Sequence, residues 1–164
     1  MRLRRLKAGL YAIGRYVRRE APPDAKTRRI VRVVALGLFL FSFYTHSWLS
    51  DDAFITFRTV DNFINGYGLR WNVIERVQAY THPLWLFVLS FGAVVTREVC
   101  FTAYALSVGL SLWVVDCLVL KRRLRPADML TAVVLLLFSR SFIDYSTSGL
   151  ENPLSHALLV VFYG

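Results

Sequence analysis

The chain has 164 residues, 55% of them hydrophobic and 15% aromatic, which excludes an ordinary soluble domain and points to an integral membrane protein. Its net charge of +9 is not spread out: eleven Lys/Arg and two acids fall in residues 1–32, against nine of each in residues 33–164. A basic excess that abuts the first apolar run belongs on the cytoplasmic flank of a membrane span, so no nucleic-acid partner is expected.

Residues 1–29 read as a basic cytoplasmic tail. Leu3, Leu6, Leu10, Ile13 and Val17 recur at steps of three and four among Arg and Lys, which suits a helix lying on anionic lipids. A mitochondrial transit peptide shares that composition and is the alternative. The stretch from Ala21 to Asp24, with two prolines, ends this helix.

Residues 30–164 read as an all-α, polytopic transmembrane module. Residues 33–49 form the first span, close to the lower length limit, with Trp48 at the far interface. Residues 50–82 are then an exterior loop. Ser50 caps a helix over 51–65, and Asp51 and Asp52 sit in its first turn, where the helix dipole favours negative charge. Ala53, Phe57, Val60 and Ile64 give that helix one apolar face. Asn65-Gly66 stops it, and Gly66 and Gly68 let the following loop turn tightly.

Residues 83–96 are apolar but too short for a comfortable span, whereas 99–120 is long enough. The basic cluster at 121–125 belongs in the cytoplasm, with the N-terminus. Both assignments hold only if 83–96 does not cross, so it reads as a partly inserted helix. Asp116 then lies near the cytoplasmic face, where a pairing partner is in reach. Ala103, Ser107 and Ser111 form a small-residue face for helix contact, expected to lack partners within this chain. Cys100 and Cys117 show no metal spacing and no disulfide framework, and read as packing residues. A third span covers about 127–141, residues 140–152 are exterior, and a fourth span starts at 153–164. The sequence stops in mid-span, so it is expected to be part of a longer protein.

The stretch 50–85 is the only long polar segment between apolar ones, and a mere connection needs none of its chemistry. Glu151 returns to the same face of the membrane. Carboxylates from two loops around an apolar cavity suit glycosyl transfer from a lipid-linked sugar. A base deprotonates the acceptor hydroxyl, and cations stabilise the departing phosphate. Asp52 is expected to be that base and Asp51 its supporting carboxylate. Arg58, Arg76, Arg140, Tyr80, His82 and Glu151 form the candidate substrate-binding set. The plainer reading is that the acids only favour a helix N-terminus and that the arginines are headgroup or ion-pair residues. His46, His82 and His156 have no zinc spacing, so neither a metal site nor a cofactor is expected, with a divalent metal as the open alternative.

The run DDAFITFRTVDNFINGYGLRWN at 51–72, followed by ERVQAYTHPLW at 75–85 and SGLEN at 148–152, resembles the GT-C glycosyltransferases. The likeness is strongest to bacterial membrane arabinofuranosyltransferases of the mycobacterial cell-wall type. Protein O-mannosyltransferases and aminoarabinose transferases are more distant. The resemblance covers about residues 33–160, the N-terminal part of a typical member. It implies that Asp51 and Asp52 are catalytic and that the donor is a polyprenyl-phosphate sugar. The implied acceptor is a cell-envelope glycan or glycoprotein. The implied location is the bacterial inner membrane, multi-pass, with the N-terminus cytoplasmic. A non-catalytic assembly subunit or degenerate paralogue would keep the same loop. A transporter fragment would place charges within its spans, and apart from Asp116 these sit at span ends.

Overall fold

The computed structural model describes residues 24–163 except 76, 121–123 and 125. The basic tail up to residue 23, Arg76 and most of the cluster at 121–125 lie outside the described residues. The described chain is all-α, without a strand. Its helices are α1 (Ala25–Thr45), α2 (Asp51–Ile64), α3 (Pro83–Thr96), α4 (Val99–Val115), α5 (Pro126–Phe138), α6 (Arg140–Tyr145) and α7 (Asn152–Tyr163). A π-helical turn over Asp116–Leu120 prolongs α4.

The helix α1 begins at Ala25, ahead of the residue 33 at which the first span is expected to start. Asp24 accepts from the backbone N–H of Thr27 at 3.5 Å, so the stretch expected only to end one helix also caps the next. Hydrogen bonding to Thr27 holds the Asp24 carboxyl below its usual range. From there α1 buries Ala35, Phe39 and Phe43, four residues apart and so on one face. Phe142 of α6 meets that face, its ring centroid 6.2 Å from those of both Phe39 and Phe43. Together with Val108, Val115, Val119 and Leu120 of the long helix, and Met129 and Val133 of α5, they form the first apolar cluster.

Two contacts show that α1 and α4 run antiparallel. Near one end, Arg32 grips Asp116 with both forks, Nε to Oδ1 at 2.6 Å and Nη2 to Oδ2 at 2.7 Å. Near the other, Tyr44 and Tyr104 line one cavity. Ala25 and Leu120 therefore lie toward the same end of the bundle. Asp116 is buried while the Arg32 side chain is 46% exposed, so the pair gains less than a fully desolvated one. Arg32→Ala is expected to cost on the order of 2 kcal/mol, discounted for that exposure, in denaturant unfolding of the detergent-solubilised protein. Arg32→Lys should recover only part of the loss, since one ammonium cannot reproduce the fork.

The second cluster joins α2, α3 and the first half of α4: Ala53, Phe57, Val60, Trp85, Leu86, Leu89, Ala93 and Ala103. The chain turns from α3 into α4 through Arg97 and Glu98, with Arg97 left-handed at φ 61°. The two helices pack so closely that a Cβ on Gly92 would lie 2.5 Å from Thr102 Cγ2. Ala103, Ser107 and Ser111 are fully buried, in a helix packed against α3 and α7. The small-residue face thus has partners within this chain, contrary to expectation, because α7 already lies along α4.

Val99–Leu120 is the one helix among the described residues long and apolar enough to cross a membrane by itself. α3 and α5 are apolar but shorter, and α1 carries Lys26, Arg28, Arg29 and Arg32 in its first turns. The helix expected over 127–141 breaks at Ser139, whose hydroxyl accepts from Phe142 N at 3.3 Å and starts α6. Arg140–Tyr145, within the segment expected to be exterior, is therefore helical.

Candidate active site

The first element of the site is the start of α2. Ser50 takes the cap position, but its hydroxyl makes no capping bond. Its backbone N–H donates instead to Ser148 O at 2.9 Å, tying the acidic turn to the second acidic loop. Asp51 and Asp52 are both exposed. At the far end, Tyr67 N donates to Asn62 O at 2.9 Å and Gly66 N to Phe63 O at 3.2 Å. With Gly66 at φ +84°, that pattern is a Schellman stop.

The loop beyond α2 folds back on the helix. Asn62 Nδ2 donates to Arg70 O at 2.9 Å and Trp71 O at 3.0 Å. The Arg58 guanidinium lies 4.6 Å from the Trp71 ring centroid and donates to Asn72 Oδ1 at 3.2 Å. Arg58 thus holds the loop, through a cation–π contact and one hydrogen bond.

His82 stands at the cap position of α3 and Pro83 at its first residue, where a missing N–H costs nothing. One turn in, the indole of fully buried Trp85 donates to Gly149 O at 3.0 Å. A second indole, Trp48, donates to Asp144 O at 2.9 Å. Gly149 is left-handed at φ +81°, and a Cβ there would lie 3.0 Å from each of Ala53 Cβ, Leu49 Cδ2 and Phe57 Cζ. Glu151 follows, its carbonyl accepting from Ser155 N at 2.9 Å in the first turn of α7.

These supports bring four sequence-predicted residues, Asp52, Tyr80, His82 and Glu151, into one cavity of about 320 Å³. Asp52, Ile55 and Thr56 of α2 line it, with Ala79, Tyr80, Thr81 and His82 from the loop and Leu150 and Glu151 from the second acidic segment. His82 Nε2 lies 3.2 Å from Glu151 Oε1, and their side chains are 41% and 23% exposed. Asp52, His82 and Glu151 sit at the N-terminal ends of α2, α3 and α7, so the positive ends of three helix dipoles partly offset the two carboxylates.

The remaining predicted residues are elsewhere. Asp51 is outside the cavity lining although it adjoins Asp52. Arg140 is 93% exposed and pairs with Asp144 at 3.2 Å, one helical turn on. Arg76 is not among the described residues. No group of three His, Cys, Asp or Glu among the described residues is arranged to hold a metal ion. Sequence reasoning passed over Trp85 and Gly149, whose hydrogen bond locks the two loops together. Both lie inside the quoted motifs, and their type was the signal: an indole N–H at the start of an apolar helix, and a glycine two residues before an acid.

No family model matches the chain, and no solved structure matches it. A terminal β-(1→2)-arabinofuranosyltransferase of Corynebacterium glutamicum is 37% identical over 131 residues, 73% of this chain and 18% of that protein. A protein of the same name from Mycobacterium tuberculosis is 35% identical over 133 residues, 74% of this chain and 21% of its own length. The chain spans about a fifth of the length of the curated relatives it matches. Over nearly three quarters of its own sequence, then, this chain is similar to the terminal β-(1→2)-arabinofuranosyltransferases of mycobacteria and corynebacteria.

Proposed function

We propose that this chain supplies the acidic exterior site of a membrane glycosyltransferase. It moves a sugar, by its relatives' name an arabinofuranosyl unit, from a polyprenyl phosphate to a cell-envelope glycan. The observation that carries this reading is the meeting of Asp52, Tyr80, His82 and Glu151, drawn from stretches 50–82 and 148–152, around one cavity. Asp52 takes the proton of the acceptor hydroxyl, and the acceptor oxygen attacks the anomeric carbon as its bond to phosphate breaks. Asp51 supports the acidic turn. Tyr80 and Glu151 offer hydrogen bonds to sugar hydroxyls, the contacts a polar cavity floor gives a carbohydrate. No cofactor is needed for this displacement.

The proposed location is the bacterial inner membrane, multi-pass, with the tail on anionic lipids of the cytoplasmic leaflet and the cavity outside. The antiparallel run of α1 and α4 supports it, since Ala25 and Leu120, the helix ends that adjoin the two basic stretches of sequence, lie toward one end of the bundle. The reading is tested with membranes containing the protein, a synthetic prenyl-phosphate arabinofuranose and an arabinan oligosaccharide. A new terminal β-(1→2) residue is expected, and its absence would refute the reading.

Topology gives an independent check. Single cysteines at Arg70 and Leu124, in a background without native thiols, are probed with an impermeant thiol reagent. Residue 70 is expected to label from outside and residue 124 only after permeabilisation. Outside labelling of both would mean that 83–96 crosses the membrane.

A further inference from the structure

The ion-pair geometry in the cavity points to a specific role for His82: it is the proton donor to the departing phosphate, and Glu151 is the positioning residue that holds its ring. The inference rests on the transfer reading above and adds to it the group that handles the leaving side of the reaction. The cavity has two carboxylates in its lining, and a phosphate must leave beside them. Among the described lining residues, His82 alone carries positive charge when protonated. Its ring is oriented through Nε2, 3.2 Å from Glu151 Oε1, and that contact leaves Nδ1 for another partner. The ring stands at the cap of α3, followed by Pro83, so its backbone is restricted to few conformations. At 41% exposure it is accessible to a ligand yet still held.

The chemistry matches. The departing phosphate gains negative charge as the C–O bond breaks, and an imidazolium beside it is a suitable general acid to hand it a proton. The balance is complete. The acceptor hydroxyl gives its proton to Asp52, the new C–O bond forms at the anomeric carbon, and the old C–O bond breaks with its electron pair going to the phosphate oxygen. That oxygen takes the proton from Nδ1 of the imidazolium, giving a prenyl phosphate monoanion and a neutral imidazole. Solvent then returns one proton to His82 and removes one from Asp52. Glu151 stabilises the imidazolium before transfer and fixes the ring plane throughout.

The groups facing His82 are Asp52 from α2, Tyr80 from its own loop and Glu151 from the segment before α7; Arg76 is not described. The experiment uses membranes containing the protein, a short-chain prenyl-phosphate arabinofuranose and an arabinan acceptor. His82→Gln is expected to lower kcat about a hundredfold with a much smaller change in KM, and to remove the alkaline limb of the wild-type pH profile. His82→Ala should regain turnover when imidazole is added, in proportion to its protonated fraction. Glu151→Gln should fall between wild type and His82→Gln and keep a shifted limb. Either of two results overturns the role: kcat within threefold of wild type in His82→Gln, or a loss that imidazole does not relieve and that leaves the pH profile unchanged. Wild-type membranes that transfer no sugar would instead remove the transfer reading, and this role with it.

Discussion

Asp52→Asn is expected to lower turnover by about a hundredfold or more, close to 2.7 kcal/mol of transition-state stabilisation. The change keeps the shape and hydrogen-bonding capacity of the side chain and removes its basicity. The donor should bind nearly as before, because a base acts on the acceptor proton only as the new bond forms, and KM should move by less than kcat. Asp51→Asn should be milder. The two acids are neighbours on one helix turn and project about 100° apart. That turn places Asp52 among the cavity-lining residues and Asp51 outside them. The pair is therefore predicted to split: one variant close to inactive, the other with turnover within about tenfold of wild type. The reverse order would exchange the roles of the two acids. Full activity in both variants would mean that the acids serve only to start α2, where the helix dipole stabilises either of them.

How much of this was legible in the sequence depended on whether the signal was local. The start and face of α2 were, because Asp51 and Asp52 precede apolar residues at helical spacing and Asn65-Gly66 follows. Ala53, Phe57 and Val60 are buried as that spacing requires. The left-handed Gly66 and Gly68 were legible for the same reason. Asp116 was expected to need a partner, but nothing in its neighbourhood names Arg32, eighty-four positions away on another helix. The break at Ser139 was missed because the polar triplet Ser139, Arg140 and Ser141 reads as the outer end of a span, and a triplet of that kind does not say that a new helix starts within it. Ser50 was assigned a side-chain cap it does not make. Its backbone is drawn to Ser148 instead, a long-range bond that no window around residue 50 reveals. The site divides the same way. Its acids and His82 were legible as residue types at the edges of apolar runs, whereas Arg58 and Arg140 were grouped with them on charge alone. Charge does not say what a guanidinium will meet, and these two meet Trp71 and Asp144.

Gly149→Ala is expected to cost about 3 kcal/mol and to lower turnover as well, from two separate physical terms. The first is backbone strain. Gly149 sits at φ +81°, where an L side chain is disfavoured by about 1–2 kcal/mol. The second is overpacking. A methyl there meets Ala53, Leu49 and Phe57, all at 3.0 Å, and such insertions cost about 1–3 kcal/mol. Gly66→Ala isolates the first term, because Gly66 has nearly the same φ, +84°, and nothing within 4 Å of the added carbon. Thermal unfolding in detergent should therefore rank wild type above Gly66→Ala and Gly66→Ala above Gly149→Ala, with the gap between the variants measuring the packing term. Turnover should separate them further. Gly149 O takes the Trp85 indole bond, the preceding carbonyl takes the Ser50 N–H, and Glu151 is two residues on. A shift of a few tenths of an ångström at Gly149 thus moves the acidic turn of α2 and the carboxylate that orients His82, while Gly66 lies at the opposite end of α2 from Asp52. Trp85→Phe keeps most of the ring and removes only the indole bond, at about 1 kcal/mol, and should resemble a weakened Gly149→Ala in activity. If Gly149→Ala were no worse than Gly66→Ala in both measurements, the segment before α7 would be yielding to the methyl group. The contact between the two acidic loops would then be too soft to hold Asp52 and Glu151 in one cavity.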